Sequence, residues 1–519
     1  MSSKAEWSEM IVAVDAKTAN APSSLPEEKS VQFRHAFLRV APSMFLGALD
    51  QTIIAAALPA IAGSLGGLSN LAWVVTAYLL TATVAAPLYG RMGDGFGRKR
   101  MLIWALGIFV AGSVACSVAP NLISLVGARA LQGFGGGGLM TLAQAIIGEV
   151  VSPKERGRFQ GWFGANFALA STLGPVVGGI LSQHLGWRSV FWVNVPLGLC
   201  AAVAALRVKT SPGTGICRLD YAGTGVFVTS TVAVLLTLSI GGHEFSWTSP
   251  VLLGLGGLGI VGFVLLRSIE IRSHDPLISP ELIREPIIWK ASLTVLLFAA
   301  VLFGLIVQLP IFFQTVLHTT PTVSGLLLIP LTLAQVAVST TTGLRISRTG
   351  HPRTAMAAGL SIVTVAFFVL AGGIHLGRAF IGLVTFVIGA GLGSTMPSAQ
   401  TMVQWAAGER HLGIGTATVS FSRTIGGLIG AALGSAVLLG ALQLIDPNAR
   451  AMLSRELASN HVEASQIGQT LTTAYRWMFF AFGGLSGCAA VVAWLIPDLD
   501  LSGSPAITPR ASSTLGDHR

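Results

Sequence analysis

The chain has 519 residues, 52% of them apolar, and a mean hydropathy of +0.71. Asp, Glu, Lys and Arg make up only 10%, against roughly 25% in soluble domains, so the composition belongs in a lipid bilayer. The net charge of +10 does not signal nucleic acid, because the basic residues sit in short loops between apolar runs and do not line one face of a polar domain.

Residues 1–35 are polar and mixed in charge. They lack the basic start and short apolar core of a cleaved signal peptide, so they read as a cytoplasmic tail and the first apolar helix as an uncleaved anchor. A hydrocarbon core about 30 Å thick needs roughly 20 apolar residues per helix. Such runs are predicted at about 36–60, 71–90, 101–119, 124–148, 159–183 and 187–208, then 220–240 and 249–268. Six more follow at 289–313, 322–344, 354–373, 379–403, 413–441 and 477–496. Strand-like alternation over about ten residues is absent, which argues against a membrane β-barrel. The expected fold is therefore an all-α integral membrane protein with 14 transmembrane helices. It comprises a six-helix bundle over 36–208, a linker over 209–288 carrying two inserted helices, a second six-helix bundle over 289–496, and a cytoplasmic tail over 497–519.

Positive charge fixes the expected orientation, because cytoplasmic loops retain Lys and Arg. With both termini inside, inner segments carry 25 of the 32 basic residues and outer segments only Arg188, Arg378, Arg450, Arg455 and Arg476. The remaining two, Arg129 and Arg423, fall inside apolar helices. One of the most basic inner turns is GRMGDGFGRKR (90–100), whose single acid is Asp94. A degenerate echo, GLRISRTGHPR (343–353), occupies the corresponding turn of the second bundle and has no acid. Two bundles related as parallel repeats account for that spacing.

Ionisable residues at mid-bilayer are costly and are functional hypotheses by default. The predicted helix interiors hold one acid, Asp50, and two bases, Arg129 and Arg423. Asp50 lies about 15 Å from the outer end of the first helix and Arg129 about 8 Å from that of the fourth, at about 1.5 Å per residue. A long Arg side chain can bridge the difference. A carboxyl in that position gains or loses a proton when its hydration or its partner changes; a static ion pair fixing two helices is the alternative. Arg423, with no evident acidic partner, reads as a snorkelling or packing residue.

In the fifth segment Gly174, Pro175, Gly178 and Gly179 combine a lost helical hydrogen bond with close-contact glycines, which is hinge or packing chemistry. The run Gly135–Gly138 weakens a helix and suits a place where a neighbour packs on its backbone. Polar and aromatic residues inside the predicted helices, Gln132, Gln144, Asn166, Gln308, Phe312 and Gln400, are candidates to line a central cavity, with helix–helix hydrogen bonding as the competing use.

The four cysteines, Cys116, Cys200, Cys217 and Cys488, form no CxxC pair and have no His partner at ligand spacing, so neither a disulfide framework nor a metal site is indicated. No GxxxxGK[ST] signature and no paired carboxylates, His cluster or nucleophile with a base occur in the spans. No cofactor is expected, and no enzymatic activity.

The chain resembles the major facilitator superfamily, and within it the fourteen-helix drug:proton antiporters. GRMGDGFGRKR is similar to the superfamily signature, matching at Gly90, Asp94, Gly97, Arg98 and Lys99. LDQTIIAAALP (49–59) is similar to the first-helix motif through Asp50, RALQGFGGG to the fourth-helix motif through Arg129, Gln132 and Gly133, and GPVVGG (174–179) to the fifth-helix antiporter motif. Trp187, Arg188, Phe191, Asn194, Pro196 and Gly198 match the start of the sixth helix, and QLPIFFQ (308–314) resembles the ninth.

The resemblance implies alternating access, with Asp50 as proton-coupling acid, Arg129 as its partner, 174–179 as hinge and Asp94, Arg98 and Lys99 as a cytoplasmic latch. It implies export of amphipathic small molecules in exchange for protons across a cytoplasmic (inner) membrane, by a monomer. Some relatives that handle dications carry an additional acid in the second half; none stands in 322–344, so neutral, monocationic or zwitterionic substrates are expected. A dedicated exporter of one metabolite, such as a siderophore or natural product, is the alternative, and a transport-inactive sensor a more distant one. The outer segment 443–475 reads as a polar surface helix, with a periplasmic adaptor as its alternative contact.

Overall fold

The structure is a computed structural model that describes residues 27–65, 72–150, 153–208, 210, 213, 220–241, 245, 248–272, 282, 284–319, 321–408, 411–445 and 468–499. The expected outer helix over 443–475 falls largely outside the described residues, as do most of the two tails. In the first half the helices are α1 (Glu27–Leu65), α2 (Ala72–Phe96), α3 (Arg98–Ser117), α4 (Leu122–Val150), α5 (Pro153–His184), α6 (Ser189–Trp192) and α7 (Asn194–Leu206). The inserted pair is α8 (Tyr221–Ile240) and α9 (Pro250–Arg272). The second half contains α10 (Pro286–Thr315), α11 (Pro321–Leu326), α12 (Ile329–Thr349), α13 (Pro352–Gly372), α14 (Arg378–Gly393), α15 (Thr395–Ala407), α16 (Leu412–Ile445) and α17 (Gly468–Trp494). Among the described residues there is no strand; one isolated bridge joins Gly241 and Phe245.

Ten helices or helix pairs among the described residues are long and apolar enough to cross a membrane. α1, α4, α5 and α12 are also at least 21 residues long but are not among these ten. Three predicted helices are each two pieces, α6/α7, α11/α12 and α14/α15. In each case a proline, Pro196, Pro330 or Pro397, stands within the first three residues of the second piece, where its missing N–H removes a bond to the preceding turn. α1 begins nine residues before the predicted 36 because its first turns are amphipathic. Phe33, Ala36 and Phe37 are buried while Arg34 and His35 are exposed, a pattern that extends a helix beyond its apolar run.

The apolar interior is divided by half. One cluster runs from Leu282 to Leu499, and three smaller ones all lie between Phe33 and Val208. Within the first half the glycine run lets α4 touch two backbones at once. A Cβ on Gly137 would fall on the Ala82 carbonyl of α2, and one on Gly135 would fall on the backbone of Phe109 in α3. That contact draws α4 against both neighbours and sets the position of Arg129, two turns earlier.

The halves meet along α2 with α16 and α5 with α12. The inserted pair lies over the first of these seams: Phe227 of α8 packs with Leu88 of α2 and against the tilted ring of Phe421 of α16, with ring centroids 5.5 Å apart. Asp220 caps α8 by accepting from the Gly223 amide at 2.9 Å, which starts the helix where the linker ends.

Candidate functional site

Asp50 is fully buried in α1 and Arg129 nearly so in α4. Arg129 Nη1 donates to Asp50 Oδ2 at 2.7 Å and to Gln132 Oε1 at 2.6 Å, and its Nε donates to the Val74 carbonyl of α2 at 3.2 Å. The other carboxylate oxygen, Oδ1, accepts from Gln132 Nε2 at 2.9 Å and from Asn194 Nδ2 at 2.8 Å. Ser113 of α3 closes the cluster. Its hydroxyl accepts from Gln132 and Asn194 at 3.0 and 3.1 Å and donates to the Phe191 carbonyl at 3.0 Å. The guanidinium lies over the Tyr78 ring, 4.3 Å from its centroid, a placement favoured by the ring's negative face. An ion pair out of contact with water is tolerated when further hydrogen bonds support it; here α2, α4 and α7 supply bonds to the pair itself, and Ser113 of α3 holds Gln132 and Asn194.

The start of the sixth predicted helix explains itself here. Asn194 binds Asp50, Phe191 offers its carbonyl to Ser113, and Trp187 packs edge-on against Phe191 at 6.2 Å. Arg188 donates to the Ala119 carbonyl at 3.0 Å, tying this start to the end of α3. Gly198 leaves room for Val110. Sequence reasoning did not find Ser113 or Tyr78, whose residue types are ordinary in membrane helices, and found Asn194 only as a motif position.

A second site joins the two halves. At the end of α2, Asp94 Oδ1 accepts from Arg98 Nε and Nη2 at 3.2 and 2.9 Å and from the Gly413 amide at 3.0 Å, and Oδ2 accepts from the Ile414 amide at 3.2 Å. The carboxylate thus caps α16, satisfying two amides that have no partner within the helix and meeting the positive end of its dipole. Gly90 and Gly413 make the approach possible, since a Cβ on Gly90 would lie 2.7 Å from the Gly413 carbonyl. Gly97 takes φ +98, a left-handed conformation that favours glycine, and reverses the chain into α3. Arg98 also pairs with Glu149 of α4 at 2.8 Å, and Lys99 donates to the Leu206 carbonyl at 2.6 Å. Gly413, 319 positions from Asp94, gave no sequence signal among the seven glycines of α16.

The remaining expected residues are distributed as follows. Gly174 receives Thr52 of α1, whose hydroxyl also donates to the Ala170 carbonyl at 3.3 Å. Gly178 is buried, while a Cβ on Gly179 would meet nothing, and α5 continues as helix through Pro175. Two of the six cavity candidates are placed away from open space. Gln132 is consumed by Asp50 and Arg129, and Phe312 is buried in an aromatic cluster with Phe313, Tyr475 and Phe479. Gln308 binds Ser435 at 3.1 Å and Asn166 the Ala41 carbonyl at 3.0 Å. Gln144 is partly exposed, and Gln400 is buried with neither amide atom bonded. Arg423 does not snorkel: no residue of α16 from Leu412 to Ser435 is exposed, so its side chain lies inside the fold. Among the described residues no cluster of metal-ligating side chains occurs, and Cys116, Cys200 and Cys488 are unpaired.

A helical membrane protein in two halves, with a buried ion pair in one and a carboxylate clasp between them, defines a polytopic transporter class. The chain belongs to the Major Facilitator Superfamily, whose family model matches residues 40–216 and 221–431. It is 33% identical over 399 residues to the multidrug transporter protein MdtP of Bacillus subtilis, covering 76% of this chain and 73% of that one. It is 31% identical over 447 residues to an acurin A biosynthesis cluster transporter of the superfamily from Aspergillus aculeatus, covering 82% and 80%. Its fold is similar to that of the human organic anion transporter MFSD10, with a TM-score of 0.62 at 15% identity, over 89% of this chain and 99% of that one. The protein is a membrane transporter with multidrug and efflux-pump relatives.

Proposed function

We propose that the protein exports amphipathic small molecules in exchange for protons by alternating access, with 14 membrane crossings, both termini in the cytoplasm, and a monomer as the working unit. The observation that carries this reading is the Asp50 carboxylate, held in the interior by Arg129, Gln132 and Asn194. Three side-chain donors meet its two oxygens. A proton added to it removes charge from the pair and weakens the hold of Arg129, which is also bonded to α2 through the Val74 carbonyl. Loading Asp50 therefore loosens α1, α2 and α4 relative to one another. α2 is the helix that Asp94 clasps to α16, so proton binding and the opening of the seam share one element.

The test is dye efflux from membrane vesicles with the pH gradient and the membrane potential controlled separately. Collapse of the pH gradient at constant potential should stop uphill efflux; an unchanged rate would remove proton coupling. The biosynthesis-cluster relative favours a second reading, dedicated export of one metabolite. A chemically diverse efflux screen separates the two, since a dedicated exporter responds to a single scaffold.

A further inference from the structure

Charge is distributed unequally between the halves. No acid occurs within α10 to α17, yet Arg423 stands near the middle of α16. Among the described residues it has neither a hydrogen-bond nor an ion-pair partner. It is partly exposed on a helix segment with no lipid-exposed residue, so the space it reaches is internal. Its surroundings follow from its helical face. Thr416, two turns earlier, accepts from Gln404 of α15 at 3.1 Å; Gly427, one turn later, faces the Phe303 ring of α10; and Gly430, two turns later, meets the Ala300 backbone of α10. Arg423 is thus directed into the wedge between α10 and α15.

Gln400 enters the same wedge. It is one turn before Gln404 on α15, is 1% exposed, and leaves both amide atoms without a partner. α15 and α16 form an antiparallel hairpin, which puts Gln400 about 6 Å nearer the turn than Arg423 by helical rise. Side chains lean toward the N-terminus of their helix, which brings the guanidinium back toward that level. The wedge opens on the other half, because a Cβ on Gly148 of α4 would lie 3.3 Å from Gln404 Oε1. Gln144, one turn before Gly148 and partly exposed, then faces Gln400 across the seam.

A guanidinium directed into the interior without a partner and a buried amide with neither atom bonded are costly unless something completes them. The fork of Arg matches a planar carboxylate with two parallel bonds. We propose that Arg423 and Gln400, with Gln144 opposite, bind the acidic group of the substrate, and that preferred substrates are amphipaths carrying one carboxylate, including zwitterions. This rests on the transport reading above and specifies its substrate class.

The experiment measures equilibrium binding to the full-length protein in nanodiscs, in chloride-free buffer, by tryptophan-to-pyrene energy transfer. The probes are pyrenebutyrate, its methyl ester and a pyrenyl trimethylammonium. The wild type should bind the butyrate about 10- to 100-fold more tightly than the ester, the range for a charge-assisted pair. Arg423→Gln should remove that preference and leave the ester and the cation unchanged, and Arg423→Lys should keep part of it. Gln400→Leu, which decides the matter should Arg423→Gln fail to fold, should weaken only the butyrate, by about 3- to 10-fold. No preference in the wild type, or an equal effect of the substitutions on all three probes, would overturn the proposal and leave Arg423 a packing residue. Because no pH gradient is applied, failure of proton coupling in the vesicle assay would not alter this result.

Discussion

The two basic turns, 90–100 and 343–353, differ in one functional respect. Both reverse the chain at the eighth position on a glycine with positive φ, Gly97 at +98 and Gly350 at +73. Their fifth positions diverge. Asp94 reaches across to the Gly413 and Ile414 amides, while Ser347 donates back to the Leu344 carbonyl of its own helix at 2.8 Å. Where Arg98 is clamped between Asp94 and Glu149, the His351 side chain has one ion-pair partner among the described residues, Asp498 at 3.8 Å, with both side chains about half exposed. The same reversal was built twice, and among the described residues only the first copy bonds to the opposite half. An acid that caps a helix on the opposite half forms a breakable bond, whereas a hydroxyl bonded within its own helix cannot report on the other half.

The largest expected effect is at the ion pair, which is bonded to the same helix that carries the first turn. Arg129→Met leaves Asp50 buried without its partner, and the folded protein should lose about 3–5 kcal/mol, read as a lowered Tm in detergent; an unchanged Tm would mean that the pair contributes no net stability. Asp50→Asn keeps the shape and should retain the fold, while pH-driven efflux falls about 100-fold or more, as for loss of an essential proton carrier. At the clasp, Asp94→Ala should insert and fold normally but slow turnover by about tenfold, the equivalent of a lost helix cap; normal turnover would reduce the turn to an orientation signal. Gly413→Val should act in the same direction by steric means, its side chain falling on Gly90 and Asp94, and should raise thiol labelling of a cysteine placed at 417. At the echo, Asp498→Asn should change stability by less than about 0.5 kcal/mol, as exposed pairs do, and leave transport unaltered; a loss comparable to that of Asp94→Ala would show the second turn to be a clasp as well.

Much of this was legible in the sequence because the bilayer makes charge conspicuous. Asp50, Arg129 and Arg423 could be picked out by cost alone, and depth from the helix ends was enough to pair the first two. The repeated turn was legible because glycine and arginine spacing survives where the acid does not. The partners were not. Ser113 and Gln132 look like any polar residue in a membrane helix, and Gln132 was expected in a cavity until its contact with Asp50 placed it in the cluster. Gly413 is one glycine among many in α16, and its importance comes from a contact 319 residues distant. The breaks at Val193, Leu327–Leu328 and Ser394 were hidden because apolar periodicity continues through them, although the prolines that follow mark each one. Arg423 reads in the sequence as a snorkelling or packing residue, and sequence does not reveal which helices enclose α16.

The account stands on Asp50 as the group that exchanges a proton for substrate. The direct measurement compares the wild type with Asp50→Asn in proteoliposomes, recording uphill efflux driven by a pH gradient beside exchange of labelled for unlabelled substrate without one. The account predicts that Asp50→Asn loses the uphill flux and keeps the exchange. Uphill flux at the wild-type rate in Asp50→Asn would contradict it.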